Sequence, residues 1–326
     1  MSSHYPLAEN LFSDEVKSEP IRAGFGRGLK LPGEQDERVV ALCADLTESV
    51  QMHLFKEAFP NRYIEVGVAE QNLVTVGSGL ASQGKIPFVS SYSAFSPGRN
   101  WEQIRTTICL NDQPVKIVGS HAGVSVGPDG ATHQMLEDIA LMRVLPNMCV
   151  FAPCDSIEAE KITKLLAKYQ HPAYLRLARE AVPIITTIDT PFEIGKAYVY
   201  DQGSDVTIIA TGTMTYQALV ASEILYKDGI EAEVIHCPTI KPFDATTILK
   251  SVKKTKRVIT VEEHQIAGGL GGLVAEFLGE HYPVPLKRVG MKDRFGETGK
   301  PSELLEYFGL TAKHIALEAY EICKIK

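Results

Sequence analysis

Short apolar runs rich in Val and Ile alternate along the chain with amphipathic or loop-forming segments. The runs predicted as strands span residues 38–43, 63–66, 87–90, 115–118, 148–152, 173–177, 206–210, 232–236, 257–261 and 285–289. Strands that alternate with helical segments form mostly parallel sheets covered by helices. The sequence therefore predicts an α/β fold with mostly parallel sheets flanked by helices.

The length of 326 residues suggests about two domains, each large enough to have its own core. The alternation stops near residues 180–193, where Pro183 and Pro191 flank an extended stretch rich in Ile and Thr. We therefore expect an N-terminal tail at 1–19, a first domain at 20–180, a linker at 181–195 and a smaller second domain at 196–326.

A net charge of −7 gives no sign of a nucleic-acid surface or of a polybasic membrane patch. Residues 1–20 lack the apolar core of a secretory signal, and no apolar stretch is long enough to cross a membrane. The expected location is the cytoplasm. The six cysteines are scattered along the chain. Cys149 and Cys154 are five residues apart, but no second pair accompanies them, so we expect free thiols and no metal site built by this chain alone.

Residues 119–134 place two histidines and an aspartate on a glycine-rich loop directly after an apolar strand. Four glycines and a proline exclude regular structure up to Gly130, and Thr132 is expected to cap a helix that begins near His133. In open α/β sheets, ligands bind beyond the carboxyl ends of the strands, so His121 and His133 are candidates for one pocket. The alternative is a surface loop with two solvated histidines.

Glu70 follows a short strand and a glycine, at the expected start of an apolar helix. Acidic side chains are favoured in a first helical turn, so a capping role is one interpretation. The other is a half-buried carboxyl at a domain or subunit junction, which is available as a proton donor.

Three motifs resemble the pyrimidine-binding domain of transketolase: Gly-Val-Ala-Glu-Gln at 67–71, the Gly-x-Asp-Gly-x-Thr-His-Gln run at 127–134, and Ala-Asp-Leu at 44–46. The remaining sequence is similar to the transketolase C-terminal domain, and the resemblance runs from about residue 20 to the end. It implies a thiamine-diphosphate-binding pyrimidine domain followed by that C-terminal domain. A complete transketolase also has a domain with a Gly-Asp-Gly…Asn signature, which is not found here, so the resemblance implies the carboxyl-terminal subunit of a split transketolase.

The resemblance also assigns roles to residues at matching positions. Glu70 would bind N1′ of the cofactor pyrimidine, Tyr92 and Phe95 would stack on that ring, and Asp45 would lie near the thiazolium. His133 would contact the donor and relay protons, Asp129 would contact donor hydroxyls, and Arg22, Ser49, His121 and Arg179 would hold phosphate. Two positions depart from the family: Tyr92 replaces a usual phenylalanine, and Ala122 stands where aspartate is frequent, which removes one polar contact.

The implied activity is transfer of a two-carbon ketol unit from a ketose phosphate to an aldose phosphate. The implied cofactors are thiamine diphosphate and a divalent cation such as Mg²⁺, held mainly by a separate diphosphate-binding subunit. Two chains of each kind, with self-association of this one, is the expected assembly. The alternatives are a 1-deoxyxylulose-phosphate-synthase-like or 2-oxoacid-dehydrogenase β-like subunit, or a scaffold paralogue without turnover.

The second domain contains a glycine-rich turn after a predicted strand, at residues 262–272. Taken alone, such a turn is a candidate anion site at a helix start. In the resembled family this domain does not bind the cofactor. We therefore expect no catalytic role for His264, and we interpret the glycines as close-packing positions, with a regulatory ligand as the alternative.

Overall fold

A computed structural model describes residues 3, 5–13 and 15–325. The strands are β1 (Ser18–Pro20), β2 (Val39–Cys43), β3 (Tyr63–Glu65), β4 (Ile86–Tyr92), β5 (Lys116–Ser120), β6 (Cys149–Phe151), β7 (Ala173–Arg176), β8 (Ala181–Pro183), β9 (Tyr198–Asp201), β10 (Val206–Ala210), β11 (Ala232–His236), β12 (Thr239–Lys241), β13 (Val258–Gln265) and β14 (Leu286–Met291). Every predicted strand is present, with ends that differ by a few residues.

The α-helices are α1 (Ile21–Gln35), α2 (His53–Ala58), α3 (Glu70–Ser82), α4 (Trp101–Gln103), α5 (Asp138–Arg143), α6 (Ser156–Leu166), α7 (Met214–Lys227), α8 (Ala245–Thr255), α9 (Leu270–His281), α10 (Pro301–Tyr307) and α11 (Ala312–Cys323). Helix α4 continues into a π-helical segment, Ile104–Cys109. Within the described part of the chain, no helix is sufficiently long and apolar to span a bilayer.

The larger sheet has seven strands in the order β12-β6-β7-β5-β4-β2-β3. All neighbours are parallel except β12, which is antiparallel to β6. The smaller sheet has the order β14-β13-β10-β11-β9, in which only β9 is antiparallel. The expectation of an α/β fold with mostly parallel sheets and flanking helices is confirmed.

Helices cover both faces of each sheet because the central strands are apolar on both sides. Strands β2 and β10 are buried along their whole length, as expected of strands inside a parallel sheet. On one face of the larger sheet, α1 packs against α6, and Gly24 and Gly28 allow this close approach. Because the helices cover the faces of the larger sheet, its carboxyl edge is formed by the loops that follow the strands.

The two halves of the chain share structure. Strand β12 comes from the second half and extends the larger sheet of the first half. Segment 181–195, predicted as a linker, contains β8, which pairs with β1, and its Ile185 is fully buried. Leu11, in the predicted tail, is buried in the core of the second half. Residues 1, 2, 4 and 14 of that tail lie outside the described residues. The domain boundaries themselves remain a prediction.

The prediction of a helix that begins near His133 is wrong. Residues 131–133 form a turn, and α5 begins only at Asp138. The hydroxyl of Thr132 contacts Nδ1 of His133 instead of a helix N–H group, at 2.8 Å. The side chain of Gln134 donates to the backbone carbonyl of Gly127 at 3.1 Å, which stabilises the turn instead of a helix.

Candidate active site at the carboxyl edge of the larger sheet

Most of the predicted site residues follow the carboxyl ends of parallel strands in the larger sheet. Asp45 follows β2, Glu70 follows β3, Tyr92 ends β4, His121 follows β5, and Arg179 follows β7. Neighbouring strands of one parallel sheet deliver their loops to the same edge. The topology therefore gathers residues that are far apart in the sequence.

Glu70 is the first residue of α3, and only 4% of its surface is exposed. Nη1 of Arg99 donates to both carboxylate oxygens at 3.2 Å, and Nδ2 of Asn100 donates to the backbone carbonyl of Glu70 at 2.8 Å. The Arg99 side chain is about half exposed, at 51%. Glu70 is thus a buried carboxylate whose charge is balanced by a side chain that reaches solvent.

Tyr92 and Phe95 form a half-buried pair of rings with centroids 5.9 Å apart and planes 20° apart. His133 meets Phe95 edge to face at 5.2 Å, and the Arg99 guanidinium lies 4.2 Å above the same ring. The ring pair is therefore physically linked both to the loop histidine and to the arginine that contacts Glu70. These contacts bring four predicted site residues together with Arg99, which sequence reasoning missed.

His121 is buried, with a positive φ of 58°, and its ring stacks on Tyr92 with centroids 3.8 Å apart. Nη1 of Arg22 donates to its Nε2 at 3.1 Å. Because arginine only donates, Nε2 accepts, and Nδ1 carries the proton that is donated to Oγ of Ser120 at 2.9 Å. Burial, together with the charges of Arg22 and Arg179, lowers the pKa of His121 to about 3. The imidazole is neutral and orients Arg22.

Arg22 and Arg179 approach one another beside His121. Burial and the charge of Arg179 lower the pKa of Arg22 below its usual value. Nη1 of Arg179 donates to the carbonyl of Val126 at 2.6 Å, and its Nε lies 3.7 Å from Glu180. The like charges of these two half-buried guanidinium groups repel each other, so an anion bound by both would be favoured.

The glycine-rich loop carries three predicted site residues in different environments. His121 is buried, His133 is half-buried and Asp129 is exposed. Asp129 lies in the turn before Gly130, whose φ is 74°. The loop thus presents one polar side chain to solvent while a histidine ring lies against the aromatic pair.

Asp45 and Ser49 lie in the segment after β2, where Asp45 is exposed and Ser49 half-buried. Asp45 has a φ of 58°, and its N–H donates to Oε1 of Glu65 at 2.7 Å. The same oxygen accepts the N–H of Gly67 at 2.8 Å. Glu65 therefore ties the loop after β2 to the turn that precedes Glu70. Sequence reasoning missed this residue, although its position at the end of a strand beside the Glu70 motif was a usable signal.

A group of buried potential metal ligands lies away from this edge. Cys154, Glu158 and His236 are the only group of potential metal ligands found among the described residues. Nε2 of His236 lies 2.8 Å from Oε2 of Glu158, so these two residues also form an ordinary buried hydrogen-bonded pair. The expectation that this chain builds no metal site remains a prediction. The cysteines are unpaired, and all except the half-buried Cys323 are buried.

The glycine-rich turn of the second half is filled by the chain itself. Glu262 accepts the N–H groups of Leu270 and Gly271, both at 2.7 Å, at the start of α9. A Cβ atom on Gly269 would lie 2.0 Å from the same carboxylate. The carboxyl group of Glu262 therefore already occupies the helix start, and the glycines are close-packing positions. His264 is buried with Nδ1 on the carbonyl of Gln265 at 2.7 Å.

Two transketolase domain families match this chain. Residues 18–184 match the family "Transketolase, pyrimidine binding domain" and residues 195–315 match "Transketolase, C-terminal domain". A putative transketolase C-terminal section from Methanocaldococcus jannaschii is 45% identical, over 93% of this chain and 96% of that protein. A 6-deoxy-6-sulfo-D-fructose transketolase subunit from Clostridium sp. is 43% identical, over 90% and 91%.

A solved structure described as a split gene transketolase, inactive beta4 tetramer, superposes with a TM-score of 0.88 at 43% identity, over 94% of this chain and 99% of that one. Fold, motifs and relatives thus define a protein of the thiamine-diphosphate-dependent class. Within that class the chain belongs to the transketolase family, and it corresponds to the carboxyl-terminal subunit of a split transketolase.

Proposed function

We propose that this chain is the pyrimidine-binding subunit of a two-subunit enzyme that transfers a two-carbon ketol unit from a ketose phosphate to an aldose phosphate. The observation that carries the proposal is the buried Glu70 carboxylate beside the Tyr92–Phe95 ring pair. The partner would supply the diphosphate and divalent-cation site, for which this chain offers no matching motif.

The carboxyl edge fits a flat heteroaromatic ring. Tyr92 and Phe95 present half-buried ring faces, and Glu70 supplies a carboxyl shielded from water. When bound, thiamine diphosphate supplies the carbanion chemistry that breaks and forms the carbon–carbon bonds. Tyr92 and Phe95 of this chain would pack against the pyrimidine, and Glu70 would fix its tautomer by a hydrogen bond to N1′.

His133 and Asp129 would bind the donor. The imidazole lies against Phe95, so it faces the place that we assign to the cofactor. Imidazole is a side chain suited to donating and accepting protons in catalysis. Asp129 would accept hydrogen bonds from donor hydroxyls, and Asp45 would orient the cofactor near the reacting carbon.

Arg22, Arg179 and Ser49 would bind the terminal phosphate of the sugar. Burial and the charge of Arg179 lower the pKa of Arg22. A phosphate dianion would relieve this repulsion and accept several charged hydrogen bonds. His121 contributes by orienting Arg22 through its neutral Nε2. The same cluster would also accept another terminal anion, such as the sulfonate suggested by the substrate name of one relative.

The proposed assembly contains two chains of each kind. The similar solved structure is described as an inactive tetramer of β chains, which supports self-association without turnover for this subunit in the absence of its partner. The exposed side chains of Val68 and Leu110, next to the Glu70 helix and its neighbouring π segment, support a protein partner on this face.

The test is to combine the purified chain with its diphosphate-binding subunit, thiamine diphosphate and Mg²⁺, and to measure ketol transfer from xylulose 5-phosphate to ribose 5-phosphate. Each chain alone is the control. We expect turnover only in the mixture. Consumption of pyruvate instead would support the deoxyxylulose-phosphate or oxoacid alternative. Turnover by this chain alone would contradict the two-subunit proposal.

A further inference from the structure

The loop that carries His121, Asp129 and His133 is attached to the second half of the chain, which bears none of the proposed cofactor or substrate contacts. The N–H of Ser125, in the middle of this loop, donates to Oε1 of Glu263 at 2.6 Å. Glu263 lies on β13 and is only 2% exposed. Its other oxygen accepts the hydroxyl of Thr213 at 3.1 Å. A buried carboxylate therefore connects the loop with two elements of the second half.

The backbone of the loop is shaped to admit this carboxylate. Gly123 has a φ of 93°, and a Cβ atom there would lie 2.3 Å from Oε1 of Glu263. Any larger residue would collide with the carboxylate as well as strain the backbone. The loop and Glu263 thus fit each other at van der Waals distance.

A second contact from the same half lies at the other end of the loop. Nε2 of Gln134 donates to the backbone carbonyl of Glu297 at 2.8 Å. Gly296 approaches so closely that a Cβ atom there would lie 1.7 Å from Oε1 of Gln134. His133 is therefore next to a residue whose side chain is fixed by the second half.

We propose that Glu263 is a positioning residue, which holds the catalytic loop from the second half so that His133 and Asp129 meet the donor. The inference rests on the proposed function for its catalytic consequence, but the attachment itself is a property of this chain. Glu263 would touch neither cofactor nor substrate. It would act through the Ser125 N–H and the loop backbone, and the second half would then be required for turnover.

The surroundings of Glu263 make this role testable by substitution. The carboxylate lies at the wall of a groove of about 450 Å³ lined also by Ser125, Thr213 and Lys300. Shortening the side chain would enlarge an existing groove instead of opening a void inside a packed core. Glu262 provides a matched control because it is equally buried on the same strand, yet its carboxylate binds α9 and not the loop.

The experiment compares Glu263→Ala and Glu263→Gln with Glu262→Gln. In the full chain, hydrogen exchange of peptides covering 119–134 is measured first. We expect exchange at Ser125 to become about tenfold faster in Glu263→Ala, because its amide loses a charged acceptor. Glu263→Gln keeps an acceptor oxygen and should exchange more slowly than Glu263→Ala. Glu262→Gln should leave this peptide unchanged and affect residues 270–271 instead.

The two-subunit enzyme is then assayed with the same variants. We expect kcat to fall at least tenfold in Glu263→Ala and less in Glu263→Gln. The affinity for thiamine diphosphate should change less than kcat, because Glu70, Tyr92 and Phe95 lie on other segments of the chain. Should Glu263→Ala fail to fold, Glu263→Gln decides by the same measurements. A loosened loop with unchanged kcat would overturn the proposal, as would unchanged exchange at Ser125. If the wild-type pair transfers no ketol unit, the proposed function fails and positioning for that reaction fails with it. The exchange rates then still decide whether Glu263 holds the loop.

Discussion

The Glu70 carboxylate is buried, yet its charge partner can move away and leave it free to contact a ligand. Its surroundings exclude water, and its counter-charge comes from Arg99, which is half exposed and stacked on Phe95. A charge partner that reaches solvent can move without leaving a second charge buried. In the proposed function, Arg99 would give up this contact when a pyrimidine nitrogen is bound beside Glu70.

Replacing Glu70 with Gln should remove the proposed activation and leave the fold intact. We expect kcat of the two-subunit enzyme to fall at least about 100-fold, since a carboxyl that shares a proton contributes at least this much in acid–base catalysis. Steady-state ketol transfer measures the effect, and circular dichroism checks the fold. Glu48→Gln, at an exposed position near the same edge, should keep wild-type activity. An active Glu70→Gln enzyme would contradict this role of Glu70 and point to a different activating residue.

His121 should make the folded chain sensitive to acid. Burial lowers its pKa from 6.5 to about 3, so between these values the unfolded chain binds a proton that the folded chain does not. The stabilisation is complete above pH 6.5 and is lost as the pH falls towards 3, by about 1.4 kcal/mol per pH unit. Asparagine tolerates the positive φ at this position. In urea unfolding, His121→Asn should lose about 2 kcal/mol less than wild type between pH 7 and pH 5. An equal loss in both proteins would contradict this prediction.

At the level of elements, the glycine-rich loop owes its shape to contacts outside its own sequence neighbourhood. At Gly123 the backbone has a positive φ beside Glu263, Ser125 is attached to β13, and Gln134 donates to the carbonyl of Glu297. The sequence therefore predicts which residues the loop contains, but it does not predict the loop's conformation, which depends on contacts with distant parts of the chain.

Gly123→Ala should be much more destabilising than Gly84→Ala. Both glycines have positive φ, 93° and 82°, but a Cβ on Gly84 would meet nothing within 4 Å, whereas one on Gly123 would collide with Glu263. We expect about 1 kcal/mol for Gly84→Ala from the backbone alone, and about 2 kcal/mol more for Gly123→Ala from the added collision. Chemical denaturation of both variants measures the difference. Equal losses would show that the approach of Glu263 has no energetic weight.

Alternation of apolar runs was sufficient to predict the parallel strands, because strands inside such sheets are continuously apolar. It missed β1, β8, β9 and β12, which are short antiparallel pieces at sheet edges. Thr132 was misread as a helix cap because its hydroxyl has a nearer partner in His133. Among the site residues, Arg99, Glu65 and Glu263 escaped notice because charged residues show their role only through the groups they contact. The proposed roles at the carboxyl edge remain predictions.

At the level of the whole molecule, a buried polar group joins the two halves. Glu158 on α6 and His236 on β11 are 2.8 Å apart and essentially without exposure. Burial alone would raise the pKa of Glu158, but the charge and hydrogen bond of His236 lower it overall. The hydroxyl of Thr215 lies 2.7 Å from Nδ1 of His236 and fixes the orientation of the ring.

His236→Leu should destabilise the chain strongly, by about 3 kcal/mol, because it leaves a carboxylate buried without its charge partner. The double variant Glu158→Gln with His236→Leu should recover part of this loss, since no uncompensated charge remains. Urea unfolding compares both with His281→Leu, an exposed position on α9 that should change little. A negligible effect of His236→Leu would mean that the pair does not hold the halves together.

Strand β12 also bears on how such a chain can be divided during evolution. It covers β6, whose three residues are buried and would otherwise form the end of the larger sheet. A gene fission between the two halves would expose an apolar edge with free N–H and C=O groups, which is a template for intermolecular strand pairing. A break at this position is therefore expected to make the first half prone to aggregation unless the second half stays bound to it.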